Sequence, residues 1–211
     1  MALAAICVPA PAQQPAKPTA SSAAAARELD AFSGALAGIT GYGATVAIFD
    51  RKDAQIQNVV FDYSFSKPSN VTLHVTAGPN AGVTLDWSGG STVVAHRGSG
   101  IAALFKKTLS LHDPQVTTLG GSSIDQLSFA AILAHVAQQP GKVVEAPGEA
   151  IDGVAVNAVT LIPAAPAADA GLTREVLVLS AATHLPMRLL GYQGSTLVRK
   201  IDLSNIKLRR V

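Results

Sequence analysis

The side chains able to do chemistry in this chain are few and far apart. His74, His96, His112, His135 and His184 are scattered, with no HxH or HExxH spacing to bring two imidazoles to one metal ion. The expectation is therefore no metal and no cofactor. His112 and Asp113 adjoin, but sequence neighbours on an extended chain point apart, and Pro114 makes a polar turn the better reading. Neither Gly98-Ser99-Gly100 nor Gly120-Gly121-Ser122-Ser123 fits the Gly-x-Ser-x-Gly elbow that presents a nucleophile. The first glycine pair also lacks the Lys-Ser/Thr continuation of a phosphate-cradling loop. Asp50, Asp62 and Asp86 fall at strand ends or opposite the apolar face, which disfavours a paired-carboxylate cleft. No catalytic residue is assigned and the chain is not expected to be an enzyme; a hydrolase of an envelope component is the remote alternative.

With 48% hydrophobic and 14% charged residues, the 211-residue chain is too apolar to be disordered, and its 18 Gly and 12 Pro punctuate it too often for a helical bundle. The net charge of +2 and the scarcity of aromatic residues disfavour nucleic acid as a partner. Met1 to Val8 is apolar and is followed by the small-residue site Ala10-Pro11-Ala12, which reads as an export signal ending at residue 12 rather than a merely Ala-rich tail, although no positive charge leads it. Cys7, the sole cysteine, is preceded by Ile6 where lipid attachment requires a small residue, so no lipidation is expected. Residues 13–22 read as a Pro/Ala/Ser linker and 23–211 as one domain, with no stretch of roughly 18 apolar residues to span a membrane. A periplasmic, Gram-negative-type monomer is the expected form.

The elements that must carry any site follow from periodicity. Leu29, Phe32, Leu36 and Ile39 recur at helical spacing before Gly38 and Gly41. Five alternating segments follow, Tyr42–Asp50, Gln57–Ser66, Asn70–Thr76, Gly82–Trp87 and Thr92–Arg97, joined by turns short enough for an antiparallel meander. Ile101, Leu104 and Phe105 predict a short helix ahead of an irregular region from Leu109 to Gly121. Ser123 and Gln126 form a capping-box signature before Phe129, Ile132, Leu133 and Val136, which predict a helix closed by Gln139-Pro140-Gly141. Strands return at Val143–Glu145, Val154–Ile162, Glu175–Ser180, Met187–Tyr192 and Thr196–Leu203. A sheet with one apolar face must be covered, so the fold class is α+β: a strongly curved antiparallel half-barrel with three helices as a lid on its concave face.

That order of elements resembles the periplasmic lipoprotein-carrier superfamily, the LolA/LolB-like fold, over roughly Leu29 to Leu208. Its local marks here are Tyr42-Gly43-Ala44 opening the first strand, Lys67-Pro68 before the third, the glycine turn in Asp86-Trp87-Ser88-Gly89-Gly90, and Thr183-His184-Leu185-Pro186-Met187-Arg188 between returning strands. The resemblance implies a lidded half-barrel that shelters acyl chains of a lipid or lipoprotein without covalent chemistry. It also implies a buried arginine that locks the lid, which these short motifs do not locate, and Asp113 to Ser123 has no counterpart in the family.

The expected cavity lining is Phe61, Tyr63, Phe65, Leu73, Leu85 and Trp87 on the sheet, with Leu104, Phe105, Phe129 and Leu133 on the lid. Alternation alone leaves open whether the lid closes over a void or over a filled core, since any half-buried sheet alternates. The expected function is a carrier for a lipid or lipoprotein acyl chain. The alternative is a structural or interaction module of the same fold that meets an envelope protein partner. A concave void of about 300 Å³ or more, the lower end of typical ligand pockets, separates the two.

Overall fold

The computed structural model describes residues 20–98, 106–139, 142–147, 150–166 and 170–210, without the side chains of 20, 21 and 142–147. The export segment, most of the linker and the expected helix at Ile101–Phe105 lie outside the described residues.

Helix α1 (Ala20–Ala37) leads directly into β1 (Ile39–Lys52), β2 (Gln55–Ser66), β3 (Asn70–Ala77), β4 (Val83–Trp87), β5 (Thr92–Arg97) and β6 (Lys106–Ser110). Helix α2 (Phe129–Gln138) follows, and β7 (Lys142–Pro147), β8 (Val156–Ile162), β9 (Arg174–Ser180), β10 (Pro186–Gln193) and β11 (Thr196–Arg210) return. Among the described residues the strands make one eleven-stranded sheet in the order β6-β5-β4-β3-β2-β1-β11-β10-β9-β8-β7. Every pairing is antiparallel. The sheet is curved and unclosed, and the helices cover its concave side.

This topology dictates the lid. The chain meanders outward from β1 to the edge strand β6, and its next strand, β7, is the opposite edge. Residues 111–139 therefore cross the sheet, and the apolar concave face is where they bury their own apolar residues. Leu111, Ile124, Leu127, Phe129, Ile132 and Val136 are buried there with Val46, Ile48, Phe61 and Leu73 of the first half and Leu161, Leu177, Leu179 and Ile201 of the second. Helix α1 lies along β7 and β8 and touches α2. A smaller cluster of Val156, Ala158 and Val178, with Ile151 and Met187, forms separately from that core.

Several boundaries differ from the sequence reading: Ile39, read on the first helix, opens β1, because its pairing with Arg210 holds it in the sheet, and β8 starts at Val156 instead of Val154. Leu109, expected in an irregular region, lies on β6, paired with Val93 and buried; the strand is five residues with one buried position, too short for alternation to reveal it. The Ser123–Gln126 capping box forms, with the Ser123 N–H donating to Gln126 Oε1 at 3.2 Å, but it caps a 3-10 turn at Ile124–Leu127. Helix α2 then starts afresh, with Ser128 Oγ accepting the Ala131 N–H at 3.1 Å. β11 runs seven residues beyond Leu203 because its partner β1 starts at Ile39, and the pairing of Ile39 with Arg210 keeps its backbone bonded.

Candidate ligand-binding site

Four strands carry a polar residue at a position whose alternation points inward. Asp50 shares the phase of Val46 and Ile48, Gln57 that of Val59 and Phe61, Glu175 that of Leu177 and Leu179, and Arg199 that of Ile201 and Leu203. The register sets these four side by side: Glu175 pairs with Gly191, Gly191 with Arg199, Arg199 with Asp50, and Asp50 with Gln57. The result is a polar row across β9, β10, β11, β1 and β2 near one end of an otherwise apolar concave face.

The row holds the lid. Gln57 Oε1 accepts the Leu119 N–H at 2.7 Å, and Asp50 Oδ2 accepts the Gly120 N–H at 2.9 Å. Arg199 donates through Nη2 to the Gly120 carbonyl at 2.6 Å and through Nε to Asp50 Oδ1 at 3.3 Å. Asp50 is fully buried, so its charge requires this arginine and these donors. Residue 120 packs closely on both: a Cβ there would stand 2.5 Å from Arg199 Nη2 and 2.8 Å from Asp50 Oδ1, so any side chain would force this contact to shift. Arg199 thus ties the lid residue Gly120 to Asp50 on the sheet. Asp50, read from sequence as a strand-end residue, is corrected to an inward anchor.

The two helices are fastened to the returning half of the sheet in the same way. His135 Nε2 of α2 lies 2.8 Å from Oε1 of buried Glu175. Glu28 of α1, also buried, lies 2.9 Å from His184 Nδ1 and accepts from Asn157 Nδ2 at 3.0 Å. At its other end α2 is held by Tyr42, whose hydroxyl accepts the Phe129 N–H at 2.9 Å while the two rings stack 4.0 Å apart. Burial raises the pKa of Tyr42, and the hydrogen bond from the Phe129 N–H only partly offsets it. Burial, followed by the proximity of Tyr42, raises Tyr63 well above its ordinary value. Both phenols stay neutral in the folded protein.

Two cavities flank the 3-10 turn beneath the lid. One, about 70 Å³, lies over Phe61, Leu73 and Leu85 and is closed by Gln115–Thr118. The other, about 320 Å³, lies between α2 and β9–β11, with Ile132, His135, Glu175, Leu189, Arg199 and Ile201 in its wall. Ser122 and Leu127 border both, so this turn is the partition between them. Of the expected lining residues, Phe61, Leu73 and Leu85 face the smaller cavity. Tyr63, Phe65 and Phe129 gather around Tyr42, Phe65 also bordering an open space of about 730 Å³ with Leu36 and Ala130, and Trp87 and Leu133 are half-buried against the core. Leu104 and Phe105 lie outside the described residues. The larger cavity has a mostly different wall, which sequence reasoning missed; the signal available was a polar residue on the inward phase of several strands at one level. Among the described residues no three His, Cys, Asp or Glu side chains converge as metal ligands, and no helix is long and apolar enough to cross a membrane.

No family model matches the sequence, and no curated protein matches it. Solved structures do match in shape. LprF from Mycobacterium bovis superposes with a TM-score of 0.52 at 16% identity, over 87% of this chain and 93% of that one. A LolA superfamily protein from Nitrosomonas europaea gives 0.39 at 14% identity over 89% and 94%, and lipoprotein LppX from Mycobacterium tuberculosis gives 0.45 at 15% over 86% and 93%. The chain has the LolA-like fold.

Proposed function

We propose that this chain is a non-enzymatic carrier that shelters an acyl chain of a lipid or lipoprotein beneath its lid. The observation that carries the reading is the polar row. A lid meant only to complete a core needs no buried carboxylate and arginine, because apolar packing there is as stable or more so. A lid meant to open benefits from a few directional bonds that water can replace. The 320 Å³ cavity reaches the lower end of typical ligand pockets, and displacing the Ser122–Leu127 partition joins it to the space over Phe61, Leu73 and Leu85. In the opened state Phe129 and Leu133 on the lid complete the apolar path. Residues 1–12 are proposed as an export signal, 23–211 as the carrier domain, and the periplasm of a Gram-negative-type envelope as its compartment.

A second reading has its own observation. The cavity over Phe61, Leu73 and Leu85 is only about 70 Å³, below the range of typical ligand pockets, as a filled interaction module with an envelope protein partner would have it. Native mass spectrometry of protein exported to and purified from a periplasm separates the readings. The carrier predicts adducts of lipid mass that collisional activation releases. A bare protein that also fails to take up a fluorescent fatty acid leaves the filled module.

A further inference from the structure

We propose that the carried ligand has an anionic headgroup, held at the end of the half-barrel by Arg51 and Lys52. The inference rests on the carrier reading and adds the ligand's charge. A third cavity of about 400 Å³ opens where the β1–β2 hairpin, the lid residues Leu119–Gly121 and the β10–β11 hairpin meet. Among the described residues its wall contains Arg51, Lys52 and Arg199 against one acid, Asp53. Arg199 borders both this cavity and the 320 Å³ space under α2, so the two abut at that side chain. A chain lying under α2 would bring its head to this mouth.

The charges there are unequally committed. Arg199 already serves Asp50 and the Gly120 carbonyl. Arg51 and Lys52 are exposed and have no ion-pair partner among the described residues; Arg51 lies over the Phe49 ring, 5.8 Å from its centre. Lys52, and Arg51 engaged only by the Phe49 ring among the described residues, give an amphiphile with a carboxylate or phosphate head a reason to bind in one orientation, its tail inward and its head in water. Exposed ion pairs are weak individually, so the two together contribute about fivefold in affinity. Because Arg51 and Lys52 make no bond to the lid, their replacement leaves its fastening intact.

The test uses the full chain and two fluorescent probes with the same undecyl chain, one ending in a carboxylate and the other in its methyl ester. The wild type is expected to bind the carboxylate about fivefold more tightly than the ester, with the difference shrinking as salt rises. Arg51→Gln with Lys52→Gln should abolish the difference and leave ester binding unchanged, with circular dichroism reporting the intact sheet. Equal binding of both probes by the wild type, or an equal loss for both in the variant, overturns the inference. Uptake of neither probe overturns the carrier reading itself. Calorimetry with inorganic phosphate alone is expected to show no saturable binding at millimolar concentration; saturation there would assign the site to a free anion and overturn the headgroup.

Discussion

Replacing Gly120 by alanine drives a methyl group into the fastening of the lid. The new carbon would sit 2.5 Å from Arg199 Nη2 and 2.8 Å from Asp50 Oδ1, closer than carbon approaches either atom; Asp50 is fully buried, so the loop, with or without the Arg199 guanidinium, withdraws. The backbone of residue 120 then loses its N–H bond to Asp50 and its carbonyl bond from Arg199. Hydrogen bonds to charged partners contribute about 1.5–3 kcal/mol each. Asp50 and Arg199 keep one another and the withdrawn groups reach water, so the lower limit applies: about 3 kcal/mol, or about a hundredfold in the ratio of closed to open loop. Amide hydrogen exchange reads this directly. Leu119 and residue 120 should exchange about a hundredfold faster than in the wild type, while amides of the β1–β11 pairing keep their protection. Unchanged exchange at 119 and 120 would refute the reasoning, because the bonds would then not hold the loop. An equal loss of protection in β1 and β11 would refute it too, since the loop would be opening only with the whole fold.

Three further outcomes follow from the same structure. His135→Ala strips buried Glu175 of its imidazole and should lower stability to urea by about 1–3 kcal/mol, whereas combining it with Glu175→Leu should recover most of the loss. Phe61→Asp buries an unpaired carboxylate and should cost several kcal/mol, seen as a lowered or absent unfolding transition; Leu133→Asp, at a half-buried lid position, should fold and instead lose probe uptake. Tyr42 and Tyr63 have pKa values raised in the folded state, so the stability their neutral rings contribute is whole below the ordinary pKa of 10.0 and is lost as the pH climbs above it. The tyrosinate absorbance of these two should therefore rise together with alkaline unfolding.

Period-two alternation in Val59, Phe61, Tyr63 and Phe65, and again in Val71, Leu73 and Val75, was enough to place the meander and its inner face, because a one-residue slip would expose every one of those side chains. The helix from Phe129 was equally legible from its apolar spacing, although its cap is Ser128 and not the Ser123–Gln126 box. The polar row was not. Asp50 and Arg199 lie 149 positions apart, and only the closing of β1 onto β11 makes them neighbours. Glu175 and Gln57 read as ordinary strand-end polar residues until the register aligns them with those two. The partition at Ile124–Leu127 was hidden as well, since a single 3-10 turn has no period to detect.

The central claim is that the lid covers a space an acyl chain enters. Fluorescence titration of the full chain with a long-chain fatty-acid probe, side by side with Gly120→Ala, tests it most directly. The account predicts saturable uptake of one probe per protein by both, with faster entry into the variant whose lid is unfastened. A folded wild type and a folded variant that both leave the probe in water would contradict it.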